Sequence, residues 1–240
     1  MPDPYINAAF RSSRENEVYF FAKNKYVRLY YTPGGTDKIL TNLRLISSGF
    51  PSLKGTPFAE PGIDCAFDTE GSEAYMFSGN NCAYIDYAPG TTNDKILVGP
   101  YTIADMFPAL NSTMFADGID SAFRSTRGKE VYLFKRNGYA CIDYDSKQFV
   151  GSIRKITDGF PVLRDTIFEN GIDACFAFHE EPETYLFKGD KYVRIHFTPD
   201  KTDDTRRVGF IRPILDGWPS LRGLSGPDAS PAMPSKPPNK

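Results

Sequence analysis

Apolar and polar residues alternate along most of the chain in short runs that end at turns rich in Gly, Pro, Asn and Asp. A period of two is typical of strands that bury one face, and aromatic residues favour strands as well. No segment keeps a period of 3.6 over a dozen residues, which argues against helical bundles, helical solenoids and doubly wound folds. The pattern therefore predicts an all-β protein.

One unit of three strands and a corner recurs four times in the same order. The isoleucines that open the units are 57, 56 and 53 positions apart. The first strands are Ile6–Phe10, Ile63–Phe67, Ile119–Phe123 and Ile172–Phe176. The second strands are Glu17–Phe21, Glu73–Phe77, Glu130–Phe134 and Glu183–Phe187. The third strands are Tyr26–Tyr30, Cys82–Asp86, Tyr139–Asp143 and Tyr192–His196. The corners, where proline should end a short helix or outer strand, are Gly49–Leu53, Met106–Leu110, Gly159–Leu163 and Gly217–Leu221.

Repeats of this length with three or four strands each are typical of propeller blades, which stack because one unit cannot bury both of its faces. We predict a single-domain, four-bladed β-propeller with about four strands per blade. The predicted blades span residues 1–57, 58–113, 114–166 and 167–223. Residues 224–240 hold five prolines and almost no apolar bulk, which predicts a flexible tail.

The four motifs resemble the hemopexin repeat, and the arrangement of four repeats standing alone is most similar to the hemopexin-fold seed albumins of legumes, the albumin-2 type. The resemblance implies a central channel that holds calcium, sodium and chloride. Extracellular hemopexin domains close their ring with a disulfide, but neither Tyr5–Ile6 nor Trp218–Leu221 contains cysteine. We therefore expect closure by apolar packing between the first and last blades.

Charge and cysteine usage indicate which partners and which cellular compartment to expect. The chain has 28 basic and 30 acidic residues, so it lacks the positive excess that nucleic acids attract. It shows no apolar run of membrane-spanning length and no leader-like start, so we expect a cytoplasmic protein, and the resemblance implies seed cells. All four cysteines lie in strand-like segments and are expected to be reduced, buried thiols. The sequon at Asn111 would matter only in the secretory pathway.

The candidate binding site is one mouth of the channel, because the first strand of a blade lines the propeller axis. Asn7, Asp64, Asp120 and Asp173 start these strands and should converge there. Crowded carboxylates attract a cation, and oxygen ligands select a hard ion such as calcium or sodium. Two alternatives remain open: the carboxylates bind the ion, or they accept hydrogen bonds from backbone amides and leave the ion to carbonyl groups.

The resemblance implies further ligands and sites. It implies a deeper ring of main-chain groups at Ala9, Ala66, Ala122 and Cys175. It also suggests spermine, a slender polycation, and haem as ligands. Only His179 and His196 could supply imidazole to haem, and a histidine at the end of a strand is more often a polar rim residue.

Other basic residues are expected to be solvated. Arg11 with Arg14, and Arg124 with Arg127, occupy matching loops, where a solvated charge is a simpler interpretation than a grip on a carboxylate. We interpret Lys201–Arg207 as an exposed loop between strands.

No motif for metalloprotease, hydrolase or nucleotide chemistry occurs, so we predict that the protein is not an enzyme. The resemblance implies a seed albumin that binds cations and, as further ligands, spermine and haem, with a role in the response to polyamines or oxidative stress. The alternative is a nutrient reservoir without specific ligand chemistry. A recognition domain is a third class, and pairing of two copies through a flat propeller face is a further expectation.

Overall fold

The four repeats fold into four antiparallel sheets. A computed structural model describes residues 4–179, 181–199, 201–207 and 209–224. The first sheet consists of Ala8–Arg11 (β1), Glu17–Ala22 (β2), Lys25–Tyr31 (β3) and Asp37–Leu45 (β4). The second consists of Cys65–Asp68 (β5), Glu73–Ser78 (β6), Asn81–Asp86 (β7) and Lys95–Thr102 (β8). In both, each strand pairs with the next strand along the chain, as the alternating pattern requires.

In the third and fourth sheets the outer edge is divided into two separate strands. The third consists of Ser121–Arg124 (β9), Glu130–Lys135 (β10), Gly138–Asp143 (β11), Gln148–Phe149 (β12) and Arg154–Lys155 (β13). The fourth consists of Ala174–Ala177 (β14), Glu183–Lys188 (β15), Lys191–Thr198 (β16), Lys201–Arg207 (β17) and Arg212–Pro213 (β18). The segment that we interpreted as a loop at Lys201–Arg207 is therefore a strand; its charged side chains concealed the pairing of its backbone with β16.

The innermost strands close a ring. Strand β1 contacts both β5 and β14, and β9 contacts the same two strands from the other side. Each sheet is thus one blade, and we number the blades in chain order. The arrangement confirms the predicted all-β, four-bladed propeller.

The hydrophobic core is divided into four clusters, and each cluster joins two consecutive blades. Trp218 of blade 4 lies in the cluster shared with blade 1, where its ring centroid is 5.2 Å from that of Phe20. The Tyr5 hydroxyl adds a hydrogen bond to the Leu221 carbonyl oxygen at 3.0 Å. All four cysteines are buried and free. The ring therefore closes by apolar packing, as the missing cysteines predicted.

Each blade ends in a short helix followed by a tight turn that begins at proline. The helices are Ile46–Gly49 (α1), Ile103–Met106 (α2), Ile156–Gly159 (α3) and Ile214–Gly217 (α4). The 3-10 turns are Pro51–Leu53, Pro108–Leu110, Pro161–Leu163 and Pro219–Leu221, with another at Ile167–Asn170. Proline at the first position of each corner turn needs no amide donor there. None of the helices in the described part of the chain has the length and apolar character to cross a membrane.

Leu224 corrects the predicted start of the tail. It is buried in the cluster between blades 4 and 1, and its amide donates to the Leu221 carbonyl oxygen at 3.0 Å. An apolar side chain next to an open core edge is more stable inside the core than in water. Residues 225–240, the rest of the predicted tail, lie outside the described residues.

Candidate functional site

One mouth of the channel gathers acidic side chains around a cavity of about 320 Å³. The predicted residues Asn7, Asp64, Asp120 and Asp173 all line this cavity, together with Asp117 and Lys135. The four predicted residues precede β1, β5, β9 and β14 by one position each, so the ring of inner strands brings them together. We call this end the acidic mouth.

The predicted side chains are held by backbone amides of their own blades. Each accepts a hydrogen bond from the turn between the second and third strands, where the donor residue has a positive φ. The four contacts are Lys23 N to Asn7 Oδ1 at 2.7 Å, Gly79 N to Asp64 Oδ2 at 2.7 Å, Arg136 N to Asp120 Oδ2 at 2.6 Å, and Gly189 N to Asp173 Oδ2 at 2.8 Å. These are the backbone hydrogen bonds that the second alternative requires, and they stabilise the turns, but each of them uses only one oxygen of its carboxylate.

The main chain of the deeper ring faces the channel. The Ser12 amide donates to the Glu17 carbonyl oxygen, which makes Ala8 and Phe10 the residues of β1 that exchange hydrogen bonds with β2. Ala9 lies between them, so its N–H and C=O point away from β2, toward the axis. The same register holds in the other three blades for Ala66, Ala122 and Cys175.

The charges at the acidic mouth are only partly compensated. Lys135 Nζ lies 3.1 Å from Asp120 Oδ1. Burial raises the pKa of Asp173, and burial lowers the pKa of Lys188, whose charge lies near Asp173 and Asp120. Within the ranges that the structure describes, no three His, Cys, Asp or Glu side chains are arranged to hold a metal ion. The oxygen atoms left to face an axial cation are main-chain carbonyls and the second carboxylate oxygens of Asp64 and Asp173, because both oxygens of Asp120 already have partners.

The opposite mouth is crossed by arginine. Arg11 Nε lies 2.8 Å from Asp68 Oδ2 of blade 2, and its Nη1 donates to the Phe178 carbonyl oxygen of blade 4. Arg124 Nη1 donates to the Thr69 carbonyl oxygen at 2.7 Å. We call this end the arginine mouth. The expectation of solvated charges is wrong for Arg11, which is 7% exposed, because it ends an inner strand instead of lying in a loop.

The two histidines lie in different surroundings. His179 Nε2 is 2.6 Å from the Ser12 carbonyl oxygen, so it joins blade 4 to blade 1 at the arginine mouth. His196 is on β16, directly opposite Glu183 of β15. The structure does not bring the two imidazoles together on one ligand position.

Two residues of the acidic mouth escaped the sequence analysis. Asp117 lies three positions before Asp120, where blades 1, 2 and 4 carry Pro4, Pro61 and Asn170. Lys135 ends the second strand of blade 3. Neither repeats in all four blades, so the fourfold pattern gave no signal. A search for charged residues at repeat positions that are otherwise neutral would have found Asp117.

Comparisons with known proteins agree with this geometry. The family model described as Hemopexin matches residues 172–223. Albumin-2 of Pisum sativum is 54% identical over 222 residues, which cover 92% of this chain and 96% of the relative. The solved hemopexin fold protein CP4 from cow pea has 77% identity and a TM-score of 0.89, covering 92% of this chain and 98% of its own. A solved plant lectin with two metal binding sites, from Cicer arietinum, has 55% identity and a TM-score of 0.90, covering 93% and 100% of the two chains.

Proposed function

The chain belongs to the hemopexin-fold seed albumins of legumes, and we propose that it binds cations in its central channel through the acidic mouth. The observation that carries the proposal is the convergence of Asp64, Asp117, Asp120 and Asp173 on one cavity, with Lys135 as the cation that lines it. Net negative charge at the end of a narrow channel concentrates cations there. The solved lectin described as having two metal binding sites supports a metal site in this fold.

Two kinds of oxygen serve two kinds of cation in this proposal. A calcium or sodium ion, with chloride as a neighbour, uses the main-chain groups of Ala9, Ala66, Ala122 and Cys175, because hard cations prefer oxygen ligands. Ammonium groups of spermine use the carboxylate oxygens at the mouth. Lys135 is a model for that contact, since its own ammonium already lies 3.1 Å from Asp120.

The test is calorimetric titration of spermine into the metal-free protein at several calcium concentrations. A shared channel predicts that the apparent affinity for spermine falls as calcium rises. Affinity that is independent of calcium contradicts the shared site. Weaker spermine binding in a variant that still folds, such as Asp117→Asn, would locate the spermine site at the acidic mouth.

Isosteric substitutions separate charge from structure at this site. Asn7 shows that an amide oxygen holds the turn as well as a carboxylate does. Asp173→Asn should therefore keep the fold and weaken spermine by roughly threefold or more, whereas Asn7→Asp should strengthen it. Asp145→Asn is the matched control, because Asp145 pairs with Lys129 away from the acidic mouth. Equal affinities in all four proteins would overturn the proposal.

We further propose that the protein is cytosolic and responds to polyamine or oxidative status. Haem is a further proposed ligand, and pairing of two copies is a further proposed property. Replacing His179 and His196 singly and following the Soret band on hemin addition tests imidazole ligation. The alternative is a nutrient reservoir. Massive accumulation in the seed followed by loss during germination supports storage, and low inducible expression supports a response role.

A further inference from the structure

A second cavity lies between blades 1 and 2, away from the channel. Its volume is about 290 Å³, and aromatic rings of Tyr19, Tyr26, Phe50 and Tyr87 form its walls. Arg28 and Arg44 also line it, and the turn at Gly90–Asn93 of blade 2 borders it. The cavity therefore combines flat apolar walls with cationic side chains.

Two side-chain nitrogens of Arg28 lack an aligned hydrogen-bond acceptor, although the guanidinium also lies beside the Tyr19 hydroxyl and Glu17. The Arg28 side chain is 10% exposed, and neither Nε nor Nη1 has a hydrogen-bond partner. Nη1 lies 3.2 Å from Glu17 Oε2, but that oxygen also lacks a hydrogen bond, so the ion pair is not aligned as one. A buried guanidinium with free donors is costly, and a ligand that supplies acceptors removes the cost.

A second guanidinium approaches the same point. A methyl group added at Gly90 would lie 2.6 Å from Arg28 Nη1 and 3.0 Å from Arg14 Nη1. The two nitrogens are therefore at most 5.6 Å apart, the sum of those two distances. Glu17 balances one of the two charges. The Oδ2 atom of Asp94 accepts from Ser52 N at the corner of blade 1 at 3.1 Å. Its buried Oδ1 has no hydrogen-bond partner, and its charge lies near Tyr26.

Two other blade interfaces lack the unpaired donors that Arg28 has. Arg194 holds the position of Arg28 between blades 4 and 1, and its Nε lies 3.2 Å from Glu183 Oε2, with no buried donor left unpaired. Between blades 2 and 3, Tyr84 replaces the arginine, and Lys147 Nζ lies 4.8 Å from the centre of the Phe107 ring. There the chain fills its own cavity with a cation. Among the described interfaces, the cavity at Arg28 combines an open volume with unpaired buried donors.

We propose that this cavity binds a small oxyanion carried on a flat apolar body, an aromatic carboxylate. The carboxylate accepts hydrogen bonds from the Arg28 guanidinium, assisted by Arg14, in the planar geometry that guanidinium groups favour. The ring of the ligand packs between the tyrosine side chains, which prefer stacked or edge contacts. This site is independent of the channel and of the cations proposed to bind there.

The test uses benzoate as the probe, with ligand-observed NMR and calorimetry. We expect a dissociation constant of about 1 mM for so small a ligand. Arg28→Met combined with Glu17→Gln removes the whole ion pair and leaves no unpaired buried charge; it should weaken benzoate by about tenfold. Arg14→Gln changes an exposed residue and should weaken it by about threefold. Arg194→Met with Glu183→Gln is the matched control at the other interface and should leave affinity unchanged.

Two further ligands decide what is recognised. Benzamide has the same ring without the charge, and inorganic phosphate has the charge without the ring; both should bind more weakly than benzoate. Benzamide that binds as tightly as benzoate overturns the role of the oxyanion, and phosphate that does so overturns the role of the ring. No saturable benzoate binding by the native protein, or unchanged binding by both the Arg14 and Arg28 variants, also overturns the proposal.

Discussion

The two mouths of the channel are built from the same four strands and differ in what their ends carry. At the acidic mouth, Asp64, Asp120 and Asp173 hold turns within their own blades, so each contact is local. At the arginine mouth, Arg11 joins blade 1 to blades 2 and 4. Side-chain bonds between blades therefore lie at the arginine mouth, and these three carboxylates of the acidic mouth hold only turns of their own blades.

The largest expected effect comes from breaking the arginine mouth. Arg11→Met leaves Asp68 buried without its partner and should lower the free energy of unfolding by about 3–5 kcal/mol. Denaturant titration measures the change. Arg124→Met is the comparison: its partner Glu70 has a side chain that is 53% exposed, so that ion pair should contribute about 1 kcal/mol or less. The variant also loses the hydrogen bond to the Thr69 carbonyl oxygen, so its total cost should be larger than that of the ion pair but smaller than that of Arg11→Met. Equal costs for the two variants would show that burial of the Arg11 pair is not what matters.

A smaller effect is expected at the histidine of the same mouth. His179→Ala removes the contact of Nε2 with the Ser12 carbonyl oxygen and should cost about 1 kcal/mol of unfolding free energy. Thermal unfolding measures it, with His196→Ala as the comparison. If His179→Ala has the same melting temperature as the native protein, His179 does not help to close the ring between blades 4 and 1.

The smallest effect has the opposite sign and belongs to the acidic mouth. Burial raises the pKa of Asp173, so the ionised form is disfavoured in the folded protein. The folded protein then binds more protons than the unfolded chain between the ordinary carboxyl pKa, about 4, and the raised value, and its stability falls as pH rises through that window. Asp173→Asn removes this dependence and should raise stability at neutral pH by less than about 1 kcal/mol.

Denaturant titrations of native protein and Asp173→Asn across pH 3–7 measure that difference. The two stabilities should converge at the acid end and separate as Asp173 ionises. If Asp173→Asn is less stable than the native protein at neutral pH, the ionised carboxylate of Asp173 stabilises the fold, and the prediction is contradicted.

The repeat made the fold predictable, because every blade carries the same spacing of strands and corner. Positions at which one blade differs from the others were harder to interpret. At such positions, a small residue in one element allows a large residue in the element that packs against it. Gly49 lies against Tyr26, where a methyl group would be 2.1 Å from the hydroxyl oxygen. In blade 2, Cys82 takes the position of Tyr26, and Met106 takes the position of Gly49. The residues at both positions can be found in the sequence, but only the fold shows that the two positions are in contact.

Residues that act between blades could not be predicted from one repeat at a time. Arg11 looked solvated because its partner Asp68 belongs to the next blade, 57 positions away. From the sequence, Arg28 could be assigned only to a strand. Its unpaired hydrogen-bond donors are evident only in the fold, where Gly90 of blade 2 lies beside it. The converging residues of the acidic mouth were predictable, since a position shared by four blades lies on the ring axis.

The most direct test of the central claim is a pair of crystal structures of this chain, one with calcium and one with spermine. We expect anomalous density for calcium on the axis near the carbonyl groups of Ala9, Ala66, Ala122 and Cys175. We also expect spermine nitrogens within hydrogen-bond distance of Asp64, Asp120 and Asp173. Ligands at the arginine mouth, or an empty channel at saturating concentrations of both, would contradict the central claim.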